Sequence, residues 1–164
     1  VGIALVIIFM IAVYRVPGVM ASIALAAYMA LFMLVLVMSK ANLTLPGIAG
    51  IILSIGMAVD ANVVIFERMK EELRGGKSAK AAIKSGYKKA FTAIFDSNIT
   101  TLIAAGVLYF IGAGTIRGFA VTLAFGVIIS FFAALVVTRI LLNLGCDMGL
   151  NKISLYGVSE GRVD

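Results

Sequence analysis

The 164 residues contain no histidine, one cysteine and only 13% charged side chains. Without histidine there is no imidazole metal site, catalytic triad or histidine pH switch. The single cysteine, Cys146, cannot form an internal disulfide and has no ligand cluster around it. A structural thiol near a membrane surface is the simpler reading of it. Nor does the chain hold a nucleophile–base pair, a phosphate-binding loop or a metal-ligand set, so neither enzymatic chemistry nor a cofactor or metal is expected. The scarcity of charge is matched by an abundance of apolar residues, at 62%. A soluble domain has about 45–50% apolar and about 25% charged residues. Disorder, a disulfide scaffold and an ordinary soluble enzyme are thereby excluded, and an integral membrane protein remains.

Charge is also unevenly placed. Residues 1–66 carry only Arg15, Lys40 and Asp60, and residues 97–142 only Arg117 and Arg139, whereas residues 67–96 carry twelve of the 22 charges. The chain reads as two apolar blocks joined by one wet, basic segment. A membrane helix needs about 20 mostly apolar residues. Spans are expected over about 19–38, 46–66, 96–114 and 118–142, with 1–14 as the end of a fifth helix whose start is missing. The apolar runs are too long, and alternate too little, for barrel strands. Arg15-Val16-Pro17-Gly18 marks a tight turn, Pro46 a helix start, and Gly112-Ala113-Gly114 with Gly118 a second short turn. Without an initiator methionine or charged leader, the chain is expected to be a fragment of a longer protein.

Five spans place twelve of the 14 basic residues on one side, which the positive-inside rule makes cytoplasmic. That topology also accounts for the net charge of +6 without invoking nucleic acid. Lys77, Lys80, Lys84 and Lys88 share one helical face, and Ala79, Ile83, Gly86, Tyr87 and Ala90 the opposite one. The pattern is that of an amphipathic helix along the membrane surface. Its basic face either attracts anionic lipid or is simply solvated. The expected fold is therefore all-α: a polytopic bundle of five transmembrane helices, the first truncated, within residues 1–145. One cytoplasmic amphipathic segment spans 67–95 and a cytoplasmic tail 146–164.

The third span holds the most informative residue. Gly47, Gly50, Ser54, Ala58 and Ala61 recur at helical spacing, and small residues let membrane helices approach closely. Asp60 lies on a different face, with Leu53, Gly56, Val64 and Glu67. It is about six residues, or roughly 9 Å, from the cytoplasmic end. A charged aspartate at the bilayer centre costs about 2.5–3.5 kcal/mol on insertion scales. No Lys or Arg of the chain is expected at its depth, so either it takes a proton or a partner supplies positive charge. Intramembrane acids mark proton or ion pathways; the alternative is an aspartate neutralised for packing alone. Asn62 on the same helix, and Asn98, Thr100 and Thr101 on the fourth span, are candidate supporting polar groups. They could bond the carboxyl group or hold water, or they could bond only their own helix carbonyls. Asp96 is read as a cap for the interfacial helix.

The run from Gly56 to Leu73, GMAVDANVVIFERMKEEL, closely resembles the fourth transmembrane segment of the SecD members of the SecD/SecF protein-export family. LPGIAG before it, FDSNITTL over 95–102 and GTIRGFAVT over 114–122 are similar to the same family in the same order. The SecF version of the acidic motif has more polar residues around it. The resemblance covers nearly all of residues 1–145. It implies a fold of the resistance–nodulation–division type, of which this chain would hold helices two to six. The first helix and an extracytoplasmic domain would lie elsewhere. It further implies a bacterial inner-membrane subunit working with SecF, the SecYEG channel and the SecA motor on unfolded preprotein, driven by the proton motive force. The family's intramembrane aspartate maps onto Asp60, with its charged partners on the SecF side. Two rival readings remain: a lipid or drug exporter of the same superfamily, and a structural scaffold without proton coupling.

Overall fold

In lipid every backbone polar group must be satisfied within the protein, which leaves helices as the economical solution for long apolar runs. The computed structural model describes residues 2–39 and 44–147. Lys40 and positions 148–164 of the expected tail lie outside the described residues. The helices are α1 (Gly2–Tyr14), α2 (Val16–Met38), α3 (Leu45–Arg74), α4 (Ala79–Ile111), α5 (Thr115–Phe132) and α6 (Thr138–Asp147). A π-helical turn, Ala133–Val137, joins the last two into one rod. Among the described residues four rods are long and apolar enough to cross a membrane: α2, α3, α4 and the α5–α6 rod over Thr115–Cys146. The shorter α1 is also apolar. The architecture is thus an all-α, multi-pass membrane bundle.

The turns are tighter than the residue types suggested. Between α1 and α2 only Arg15 leaves the helical conformation, with φ 51°. Pro17 and Gly18 already belong to the first turn of α2, where proline's missing N–H is not needed. Gly18 has no room for a side chain because the backbone of Met10 and Ile11 lies against it. Gly112 and Gly114 make the turn before α5, whereas Gly118 is inside α5 and packs on Thr44. Thr44 fastens this end of the bundle: its hydroxyl oxygen accepts from the Gly47 N–H at 3.2 Å and lies 3.3 Å from the Thr115 carbonyl.

The central contact joins α3 to α5. Gly47, Gly50, Ser54 and Ala58 are buried, and Ala61 is half-buried. A Cβ on Gly50 would meet the Thr122 hydroxyl and lie 3.2 Å from the Phe119 carbonyl. One helical turn on, Ser54 occupies the space that Gly126 leaves open. The Thr122 hydroxyl crosses the interface to the Gly47 carbonyl at 3.1 Å. Ala58 turns instead toward Tyr28, Phe32 and Ala133, tying α2 to the same core.

At 30 and 33 residues, α3 and α4 run about 45 and 50 Å, well beyond a hydrocarbon core of about 30 Å. The excess is a helical hairpin turning at 75–78. The amphipathic stretch after Ala79 is the opening part of α4, with no break before the fourth span. Rather than lying along a membrane surface, it packs its apolar face on protein. Ala82, Ile83, Tyr87 and Ala90 bury against Ile65, Phe66, Met69 and Leu73 of α3. Gly86 permits the approach, since a Cβ there would lie 2.7 Å from Met69 Cγ and 2.9 Å from its backbone nitrogen. Nor is the charged segment uniformly wet. Lys70 is buried beneath α1, with Nζ 4.3 Å from the Tyr14 ring centroid and 3.4 Å from the Val13 carbonyl. It serves carbonyls that the end of α1 leaves unpaired. Glu72 is buried too, between Lys77 and Lys89, whose ammonium groups both pair with it.

Two outcomes follow from this packing. Gly50→Leu should lower the unfolding temperature in detergent by overpacking the α3–α5 contact, at a cost of about 1–3 kcal/mol, whereas Gly56→Leu, where nothing faces the added side chain, should leave it unchanged. Hydrogen bonds from Lys77 and Lys89 hold the Glu72 carboxyl at about 2, below its ordinary 4.5. A depressed carboxyl stabilises the folded state above the ordinary value and loses that contribution as pH falls toward the depressed one. Protection of the hairpin amides, taken relative to the intrinsic exchange rate at each pH, should therefore fall between pH 4.5 and about 2, and Glu72→Gln should remove that dependence.

Candidate functional site

Asp60 is exposed, on the side of α3 that α5 does not cover. It opens into a groove of about 250 Å³ between α3 and α4, with a mixed polar and apolar lining. Met57, Ala61 and Val64 form one wall; Ala93, Ile94, Ser97, Asn98 and Thr101 form the other. Among the described residues no ion pair or hydrogen bond reaches its carboxylate. The nearest things to partners are the uncharged groups across the groove. Asn98 donates to the Ile94 carbonyl at 2.6 Å, and Thr101 to the Ser97 carbonyl at 2.9 Å. Ser97 likewise donates to Ile94 at 3.2 Å. The hydroxyl protons of Ser97 and Thr101 are therefore turned onto their own helix, while their oxygens and the Asn98 Oδ1 remain able to accept and the second Asn98 N–H remains able to donate. The groove presents a carboxylate among mainly accepting groups, an arrangement suited to a proton, water or a cation brought by another surface.

The proposed supporting residues separate into two places. Asn98 and Thr101 stand in the groove with Asp60. Thr100 is exposed on a neighbouring face of α4 and donates to the Asp96 carbonyl at 2.8 Å. Asn62 is buried on the opposite side of α3, because two residues turn a helix by about 200°. Its Nδ2 donates to the Ala58 carbonyl at 3.3 Å, and its Oδ1 accepts from the Thr138 hydroxyl at 2.9 Å. Ala61, grouped in the sequence with the packing stripe, lines the groove beside Asp60.

Thr138 is the residue that sequence reasoning missed. It ends the π-helical turn, where its N–H reaches back five residues to the Ala133 carbonyl. Its hydroxyl is fully buried and lies 3.3 Å from that carbonyl as well as bonding Asn62. A π turn disturbs the regular ladder of an α-helix, and a side-chain bond at its edge holds the altered register. The signal available was one hydroxyl in the run Val136-Val137-Thr138, too common in membrane helices to single out.

The family model described as "Protein export membrane protein SecD/SecF, C-terminal" matches residues 1–146. The chain belongs to the SecD/SecF family. Among curated SecD/SecF relatives, the protein translocase subunit SecD of Acidaminococcus fermentans is 57% identical over 151 residues, covering 92% of this chain and 36% of the relative. SecD of Synechocystis is 52% identical over 142 residues, covering 87% and 30%. The crystal structure of SecDF from Thermus thermophilus superposes with a TM-score of 0.87 at 45% identity, covering 90% of this chain and 21% of that one. The chain thus spans about a third or less of the SecD/SecF proteins it matches.

Thr138→Val removes the hydroxyl and leaves the Asn62 oxygen buried without its donor. The expected loss is about 1–3 kcal/mol of stability, read by thermal unfolding in detergent. Adding Asn62→Leu should restore part of the loss, since the unsatisfied group goes with it.

Proposed function

We propose that this chain is the membrane-embedded part of a SecD-type protein translocase subunit, that Asp60 is its proton-coupling group, and that SecF completes the groove. The observation that carries the reading is a carboxylate that has no partner among the described residues, in a groove between two membrane helices. The α4 wall of that groove is the least covered of the long helices, which suits an unfilled contact with a second membrane subunit. Relatives named protein translocase subunit SecD support protein translocation as the process; the sequence resemblance adds the finer reading, assistance to preprotein export beside the SecYEG channel and SecA. Bacterial SecD relatives support an inner-membrane location, and the charge asymmetry of the sequence supports residues 67–95 and the C-terminal tail in the cytoplasm. The shared fold alone would suit an exporter of the same superfamily, but its general likeness would not account for SecD relatives above 50% identity.

The energetics are adequate. One charge moved through 100 mV gains about 2.3 kcal/mol, enough to shift a two-state equilibrium tens-fold at about 1.4 kcal/mol per decade. In this mechanism, protonation of Asp60 weakens its attraction to a cation on SecF and alters the packing of the two halves. Return of the charge reverses it. Alternation between these states supplies the motion that helps pull preprotein outward. Asn98 and Thr101 hold water beside the carboxyl group and give the proton a path.

Asp60→Asn in the complete protein is nearly isosteric but cannot release a proton. It should preserve co-purification with SecF and abolish the gradient-dependent part of export into membrane vesicles. Asp60→Glu keeps the titrating group one methylene away and should retain partial activity. A full response of Asp60→Asn vesicles to the gradient would show that coupling lies elsewhere; failure to co-purify with SecF would assign Asp60 to assembly.

A further inference from the structure

A second groove, of about 500 Å³, lies between α4 and the junction of α5 with α6. It is separate from the Asp60 groove and no part of the proton-coupling reading uses it. Its rim carries three cations: Lys84 and Lys88, one helical turn apart on α4, and Arg139 facing them from α6. All three are exposed and form no ion pair among the described residues. The acids of the hairpin are engaged elsewhere, Glu72 with Lys77 and Lys89, Glu71 with Arg68 and Glu67 with Lys70. Below the cations the lining becomes apolar, through Phe91, Leu135 and Val136. The junction is also the place where the rod departs from α-helical geometry. The Tyr87 hydroxyl donates to the Ala134 carbonyl at 3.3 Å, and the Arg139 guanidinium lies 5.8 Å from the Tyr87 ring centroid.

Depth supports the chemistry. Arg139 is 24 residues along the rod from Thr115, or about 36 Å, just beyond one hydrocarbon thickness of about 30 Å. The cations thus stand at headgroup level and the apolar lining at acyl-chain level.

We infer that this groove binds one anionic phospholipid. The phosphate lies among Lys84, Lys88 and Arg139, and an acyl chain descends along Phe91, Leu135 and Val136. Basic pockets between membrane helices recognise acidic headgroups in this way. A water-soluble anion would leave the apolar half empty, and a zwitterionic lipid brings a choline or ethanolamine cation into a site that already holds three. The lipid bridges α4 to α6 beside the π turn, on the outer side of the packing that Tyr87 and its neighbours make with Ala134 and Leu142.

The test uses the complete protein purified in detergent, with lipid binding read by native mass spectrometry during titration with phosphatidylglycerol, phosphatidylcholine or glycerol phosphate. Phosphatidylglycerol should bind in preference to both other probes, with one molecule held most tightly. A surface cation contributes about fivefold to such binding. Arg139→Gln should therefore weaken retention about fivefold, and the double variant Lys84→Gln/Lys88→Gln about 30-fold. Arg68→Gln/Arg74→Gln removes as much charge from exposed positions elsewhere and should change nothing. Because Lys84 and Lys88 are exposed, their double variant should unfold at the parent temperature. Equal weakening by the Arg68/Arg74 variant would reduce the effect to diffuse surface charge and overturn the site. Glycerol phosphate binding as tightly as phosphatidylglycerol would make it an anion site instead. Loss of a co-purifying subunit, with lipid retention unchanged, would show that the groove is occupied by protein.

Discussion

The contact between α3 and α5 governs the rest of the bundle. Hydrophobicity does little to hold helices together in lipid, where tails are as apolar as side chains. Close backbone approach and a few hydrogen bonds do that work. Gly47 and Gly50 on one helix, with Gly118 and Gly126 on the other, bring the backbones near enough for Thr122 to bond across to Gly47. With α5 held on one side of α3, Asp60 necessarily faces away from it. The groove toward α4 is the consequence.

Outside the apolar spans the same two helices continue as a hairpin whose stability has a different origin. Its apolar face is small enough, at Ala82, Gly86 and Ala90, to seat against Met69 and its neighbours. Its charges are then used where burial requires pairing: Glu72 between two lysines, and Lys70 against the end of α1 and the Tyr14 ring. A buried charge without such partners would be costly. The hairpin therefore continues α3 and α4 beyond the groove. Asp60 stands on its α3 arm, and Lys84 and Lys88 on its α4 arm, where Arg139 of α6 faces them.

Intramembrane polar groups here divide by what they bond. Ser54, Thr101 and Ser130 return their protons to carbonyls of their own helices, and they serve packing or line a cavity without joining helices. Thr122 and Thr138 reach across, to Gly47 and Asn62. The second bond sits where the π turn has altered the register of the last rod. A side-chain bond is most informative at such a place, because the backbone ladder alone does not fix the geometry.

Length and apolarity were enough for the sequence to determine the all-α class and the membrane setting, since few structures satisfy a backbone in lipid. The stripe Gly47, Gly50, Ser54 and Ala58 was legible because small side chains at helical spacing have one main use. Asp60 was legible because a lone acid in an apolar helix is costly. Tertiary structure alone decided which polar residues share a site with it. Asn62 is two residues away in sequence yet faces Thr138, while Asn98 and Thr101 are far in sequence and face the same groove. It also decided that the amphipathic stretch covers protein rather than membrane, because only packing showed α4 to be continuous and Gly86 to be pressed against Met69. The three-cation groove was equally hidden, since a lysine pair on one helix becomes a pocket only when Arg139 is brought opposite to it. Periodicity reports which residues share a face of one helix; which faces meet depends on shape complementarity between helices, and that is set only when they pack.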